Sequence, residues 1–196
     1  MRYLLTLAAL FTAASFLTAG TPADKGWTLD PVHSAVTFSV KHMVISDVTG
    51  NFKGFQITLT GTKDDFSDAR VEAVIKVATI NTENDQRDGH LKSDDFFNAE
   101  KFPTITFKSA SFEKVDDKHF RITGDLTIRD VTKKVTFDAV YNGSVKAPWG
   151  ETVSSWKATT TINRFDYNLK WNKALETGGL VVGENVTVTM NLEFTR

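Results

Sequence analysis

Apolar and polar side chains alternate with a period of two along most of this chain. Val36, Phe38, Val40 and His42 share one face, and Ala35, Thr37, Ser39 and Lys41 share the other. Such alternation turns one set toward a core and the other toward water, so it predicts a half-buried β-strand. After a turn at 45–47 the pattern runs through Phe52 and changes parity before Phe55, Ile57 and Leu59. Gly54 lies between, which predicts a bulge or bend. Val71, Ala73, Ile75 and Val77 mark a third strand, and Ile105 and Phe107 a fourth. Phe120, Ile122, Leu126 and Ile128 then pair with Val135, Phe137, Ala139 and Tyr141 as a hairpin turning at 129–133. Trp156, Ala158, Thr160 and Ile162 mark the seventh strand, and Val186, Val188, Met190, Leu192 and Phe194 the eighth.

Eight strands, each with one apolar and one polar face and nearly all in hairpin succession, predict an all-β protein. Closure into an antiparallel up-and-down barrel removes the exposed edges that an open sheet would leave. A barrel of eight strands encloses just enough room for its own side chains or for one slim ligand. The apolar faces are rich in large aromatics, Phe107, Phe137, Tyr141 and Trp156 among them, yet Val, Ala and Thr occupy alternate positions and fill space poorly. A slender apolar ligand along Val36, Phe38, Val40, Ile75, Val77, Phe107, Phe137, Tyr141, Trp156, Val188 and Met190 fits this pattern. A barrel filled by its own side chains is the alternative.

The stretch 81–107 breaks the alternation. A connection this long in a compact domain is usually a lid, a binding loop or a plug. A short helical segment is expected around 82–98, with Thr82 as its cap, Asp85 as the capping-box acid and Gly89 limiting its length. Asp94 or Asn98 is expected to cap a further turn, and Pro103 marks the return to extended chain. Arg87, Asp88 and His90 stand together in this stretch. They suit either a cluster that meets a ligand or a set of ties holding a lid to the barrel rim, with Arg87 and Asp88 paired.

Composition narrows the setting. The chain has 196 residues, 41% of them apolar and 24% charged, which suits one globular domain, taken as 27–196. Residues 1–20 differ: Arg2 is followed by an apolar run from Leu4 to Leu17 and then by small residues. The run is too short to span a bilayer and reads as a secretory signal peptide, with cleavage after Ala19, Gly20 or Ala23. The expected location is therefore periplasmic or secreted. The formal net charge is −1, and it becomes −2 without Arg2. That balance argues against nucleic acid as a partner, which needs a basic face. There is no cysteine, so lipoprotein acylation, thiolate metal sites and a thiol nucleophile are excluded, and the fold rests on burial alone.

Candidate chemistry is sparse. His33, His42, His90 and His119 lack the spacing that puts two imidazoles on one metal, and no nucleophile motif of the Gly-x-Ser-x-Gly kind occurs. Neither a metal nor a cofactor is expected, and the protein is read as a binding protein and not an enzyme. His42 falls on the apolar face at the end of the first strand, where it either bonds a backbone group or meets a ligand head group. Arg87, His90 and Arg164 are the other candidates for a head group or the rim.

The chain also resembles a known family. Leu29-Asp30-Pro31-x-His33-Ser34-x-Val36-x-Phe38-x-Val40-x-His42-Met43, then Gly50-x-Phe52, Arg87-Asp88-x-His90-Leu91, Asp95-Phe96-Phe97 and Phe102-Pro103-x-Ile105-x-Phe107 are similar to motifs of the YceI family. Gly124-x-Leu126-Thr127-Ile128, Val131-Thr132-Lys133, Asn163-Arg164-x-Asp166-Tyr167 and Val182-Gly183-Glu184-x-Val186 continue the likeness in the same order. Tyr167-Asn168 stands where the family usually has Phe-Gly. The resemblance implies a periplasmic, lipocalin-like barrel that binds a polyisoprenoid, a quinone-like molecule or another long-chain amphiphilic lipid in its pore, for transport or storage. It implies transient contact with a membrane and leaves open whether the protein is a monomer or a dimer. An enzyme acting on a pore-bound lipid and a structural envelope protein with a filled barrel are the competing expectations.

Overall fold

The computed structural model describes residues 26–176 and 178–196. The expected signal peptide lies outside the described residues. Ten strands run in chain order as β1 (Thr28–His42), β2 (Ser46–Phe52), β3 (Phe55–Thr60), β4 (Arg70–Lys76), β5 (Ile80–Asn81), β6 (Thr104–Lys114), β7 (His119–Ile128), β8 (Val131–Lys146), β9 (Thr152–Asn163) and β10 (Val182–Thr195). One α-helix, α1 (Asp85–Lys92), lies between β5 and β6. The expected eight strands become ten for two reasons. The parity change at Gly54 divides the second strand into β2 and β3, and the two-residue β5 pairs with β2 through Asn51 and Phe52.

The sheet is antiparallel in the order β3-β4-β6-β7-β8-β9-β10-β1-β2-β5. It curls because the bent strand has two neighbours: β2 pairs with β1, and β3 pairs with β4. Trp27 N donates to Leu59 O at 2.9 Å and joins the start of β1 to β3, so the sheet meets itself. This single bridge ties the β3 edge to the start of β1, while the two-residue β5 covers the end of β2.

The alternating apolar faces read from the sequence point inward. Val36, Ile57, Ala73, Phe107, Phe137, Trp156 and Met190 all belong to one buried cluster. Gly124 allows the Phe107 ring to lie flat against β7, since a Cβ there would stand 2.7 Å from the ring. Beyond this point a register shift between Ser109 and Ser111 restores Phe112 to the inner face.

The two ends differ. At one, the loop between β3 and β4 folds Phe66 inward, 5% exposed, against Trp156 at 4.8 Å, Tyr141 at 5.4 Å and Trp27 at 6.1 Å between ring centroids. Edge-on packing of this kind adds to the hydrophobic gain of burial. Asp68 laces the same loop by accepting from Thr62 N at 2.9 Å, Thr62 Oγ1 at 2.7 Å and Lys63 N at 3.2 Å. These bonds, chiefly the one from Thr62 N, hold the Asp68 carboxyl down at about 2. This end is plugged, and the other carries the connection 81–107.

Candidate functional site

The α1 segment forms because Asn84, in an extended conformation, accepts from Arg87 N at 2.9 Å, while Asp85 and Asp88 stand in the first turn and Lys92 in the last. Each of these satisfies or complements the free groups at a helix end. The cap is therefore Asn84 and not Thr82. Gly89 lies within the helix, which ends at Ser93, so it does not limit the length as expected.

Thr82 has another role. Asp88 is buried and its Oδ1 accepts from Thr82 N at 2.9 Å and Thr82 Oγ1 at 2.5 Å. Arg87 donates from Nε to Thr82 Oγ1 at 2.8 Å and from Nη2 to Thr82 O at 2.7 Å. Arg87 and Asp88 close on Thr82, within the connection itself, and not on each other as a tie to the barrel rim. His90 Nε2 lies 2.8 Å from Asp95 Oδ2, and its ring stands edge-on to Phe96 and Trp171, each at 5.0 Å. Arg129, in the turn between β7 and β8, donates to the carbonyls of Asp94, Phe96 and Asn168. The connection is thus a lid braced internally at Thr82 and Asp95 and fastened to the barrel by Arg129 and the Trp171 ring.

Beneath the lid lies a chamber of about 120 Å³, lined by Val36, Phe38, Val40, Ile75, Phe107, Phe137, Val188 and Met190 together with Leu91, Phe96 and Phe97 from the lid. A smaller space of about 40 Å³ continues toward the plug and ends at Trp156, Phe112 and Phe194. The two share Ala73, Phe107, Phe137 and Met190, with the Phe107 and Phe137 rings 5.2 Å apart. On the lid side a vestibule of about 380 Å³ shares Phe38, Val40, Leu91, Phe96 and Val182 with the chamber. It is bounded by the exposed Asn84, Gln86 and Arg87, and by Lys41, His42 and His90, so it opens to solvent. The whole is a blind apolar tunnel behind a polar mouth.

Most residues expected along the pore therefore meet here. Val77 does not line it: β4 ends at Lys76, and Val77 turns under the lid with its N–H bonded to Pro103 O at 3.0 Å. Tyr141 also lies outside, stacked on Trp156 and Phe66 in the plug, with its hydroxyl 2.5 Å from Ser144 Oγ. Trp156 forms the tunnel's end wall, its Nε1 donating to Ser154 Oγ at 2.9 Å. His42 lines the vestibule, as do Arg87 and His90.

Arg164 is the chief correction among the expected head-group residues. It is 2% exposed and donates to the carbonyls of Gly183 at 2.8 Å, Trp171 at 3.0 Å, Val182 at 3.0 Å and Leu169. Burial lowers its pKa, and the carbonyl dipoles accept its charge. It binds the 169–183 connection to the end of β9 and leaves little to offer a ligand. Outside the tunnel, His33 Nδ1 lies 2.9 Å from Asp30 Oδ2 and 3.8 Å from Glu193 Oε1. Asp30 also accepts from Val32 N and His33 N, which identifies the group as the clasp of the β1 bulge.

Reasoning from the sequence missed Leu91, Phe96, Phe97, Leu169 and Val182 in the chamber wall, and Arg129 as the clamp. The Phe96-Phe97 doublet in an otherwise polar stretch was the available signal.

Comparisons with known proteins agree with this architecture. Residues 27–194 match the model of the YceI-like domain. A UPF0312 protein of Staphylococcus aureus is 41% identical over 169 residues, which cover 86% of this chain and 96% of the relative. The crystal structure of the Campylobacter jejuni YCEI protein superposes with a TM-score of 0.68 at 29% identity, covering 95% of this chain and 99% of that one. A polyisoprenoid binding domain from Saccharophagus degradans has the same fold, with a TM-score of 0.60 at 16% identity over 86% of this chain and 97% of that one. A match to the family model over residues 27–194, nearly the whole described barrel, makes this chain a member of the YceI-like domain family.

Proposed function

We propose that this protein binds a polyisoprenoid or a comparable long-chain amphiphile, with the tail in the chamber and the head in the vestibule. The observation that carries this reading is the blind tunnel itself, apolar along its length and open only through the polar mouth. Burial of each CH₂ contributes about 0.8 kcal/mol, so one five-carbon unit contributes roughly 2 to 4 kcal/mol before ordering costs. A few units give useful affinity without an ionic contact. The polyisoprenoid binding domain from Saccharophagus degradans supports the choice of ligand by its shared fold.

The ionisable side chains around the vestibule are Lys41, His42, Arg87 and His90, with no carboxylate among the described lining residues. Lys41 is paired with Asp47 at 2.9 Å and His90 lies 2.8 Å from Asp95, so the mouth offers hydrogen-bonding groups to a polar head with little free positive charge. The chamber's ionisable lining group is Arg164, already committed to carbonyls, which favours holding a ligand over transforming it. Export through residues 1–20 would place this binding in the cell envelope.

The test is native mass spectrometry of protein purified from its own host, followed by titration of the delipidated protein with polyprenols, polyprenyl phosphates and quinones. A co-purifying long-chain lipid, and uptake lost in a folded Val188→Phe variant, are expected. An empty protein that takes up none of these probes would overturn the reading.

A further inference from the structure

The turn between β1 and β2 exposes three consecutive apolar residues. Met43, Val44 and Ile45 have 44%, 60% and 88% of their surface in water. Met43 and Val44 also hold left-handed backbone, with φ of 51° and 70°. Asn or Gly would relieve that conformation, and a β-branched residue adopts it only at a cost. The tip thus keeps large apolar side chains at a place where turn chemistry and solubility both disfavour them.

Its position relates it to the tunnel. Met43 N donates to Val181 O at 2.9 Å, and Val44 lies against Gly179, where a Cβ would come 2.8 Å from Val44 Cγ2. Lys41, His42, Val48 and Val181, on either side of these contacts, line the vestibule. A second exposed apolar site, Val145 at the end of β8 and Trp149 in the turn after it, lies at the plugged end, because Val153 pairs with Thr195 there.

We propose that the Met43–Ile45 tip inserts into the surface of a lipid bilayer and sets the vestibule against it, so that the ligand passes between bilayer and tunnel without crossing water. This rests on the ligand reading above. The occupant follows from two facts on the molecule. A tunnel this apolar suits a ligand whose reservoir is a membrane, and a tip of three residues is far smaller than a stable protein interface requires, about 20–30 residues a side. It does suit shallow insertion, with the Lys41–Asp47 ion pair beside it at the level of the lipid head groups. Among the described residues no helix is long and apolar enough to cross a membrane, so the contact envisaged is peripheral.

The test uses Ile45→Asp, since so exposed a side chain is dispensable for folding, with Trp149→Ser at the plugged end as the control. Wild-type protein is expected to co-sediment with vesicles of phosphatidylcholine and phosphatidylglycerol and to take up a fluorescent polyprenyl phosphate from them. Removing one inserted isoleucine should weaken vesicle association and slow uptake by about tenfold or more. Uptake of the same probe from detergent solution should be unchanged, as should every property of Trp149→Ser. Wild-type protein that ignores vesicles, or an Ile45→Asp variant that takes up the probe from them at the wild-type rate, overturns the proposal. So does a concentration-dependent dimer that Ile45→Asp dissolves, which would assign the tip to a second copy of the chain. Failure of the wild type to bind the probe in detergent would instead defeat the tunnel reading, while sedimentation still decides the fate of the tip.

Discussion

The ring of Phe38 lies across Gly50 on the neighbouring strand, so closely that a Cβ built on Gly50 would stand 2.8 Å from the ring's Cε1 and 2.8 Å from Thr82 Cγ2. Phe38 belongs to both the vestibule and the chamber, so this glycine decides how wide the neck between them is. Gly50→Ala is expected to drive the ring into the neck, lower stability by about 1–3 kcal/mol as overpacked cores do, and slow ligand uptake. The double variant with Phe38→Leu should recover much of both. Urea denaturation and uptake kinetics on the two single variants and the double one give the coupling directly.

Phe66 backs Trp156, the end wall of the tunnel, at 4.8 Å between ring centroids, so truncating it lets that wall retreat. Phe66→Ala should cost about 3–5 kcal/mol, the usual loss for an aromatic core truncation, and should lengthen the bound tail that the tunnel accepts. Comparing polyprenols of increasing length on the variant and the wild type checks the second outcome; an identical length preference would show that Phe66 is not the stop.

The loop that carries Phe66 is laced by Asp68, whose folded-state carboxyl lies near 2 against an ordinary value of 3.8. A depressed carboxyl stabilises the fold fully above its ordinary value and loses that contribution as pH falls through the depressed one. The stability difference between wild type and Asp68→Asn should therefore be constant above about pH 4 and vanish toward pH 2. Denaturation midpoints across that range check it.

Thr82 takes the bonds of both Arg87 and Asp88. Thr82→Val removes a hydroxyl held by two charged groups and should cost about 1.5–3 kcal/mol. It should also speed amide exchange in 85–92 more than in the barrel strands, while Thr82→Ser keeps both properties near wild type.

Tyr167 makes an opposite prediction. Its hydroxyl is buried without a hydrogen-bond partner among the described residues, and burial pushes its pKa up to about 12. Tyr167→Phe removes an unpaired polar group and should be neutral or stabilising by about 1 kcal/mol, read as a higher denaturation midpoint.

The barrel was legible because inward positions recur every second residue, so Val36, Phe107, Phe137 and Met190 declare their faces locally. The bend at Gly54 was legible as a parity change. Phe66 was not, because it sits in a turn, Asp64 to Asp68, where periodicity carries no information. The helix cap was misplaced because Thr82 and Asn84 are both capping residues, and the choice turns on Asp88 and Arg87 having claimed Thr82. Arg164 was a candidate for the head group or the rim because a long connection follows it. Only the approach of the carbonyls of Leu169, Trp171, Val182 and Gly183 shows four of its five N–H donors to be engaged. Contacts that join distant segments leave no periodic mark.

The pairing of Thr28 with Thr195 brings together the two ends of the described chain. β1 therefore has no partner on its β10 side until the final strand exists, and closing so long a loop is entropically slow. During synthesis the first strand waits, with the β1–β2 hairpin and its apolar tip as the local structure available to it. A chaperone that holds the chain in this interval would have its natural target there, and a truncation that removes β10 would leave β1 as an adhesive edge.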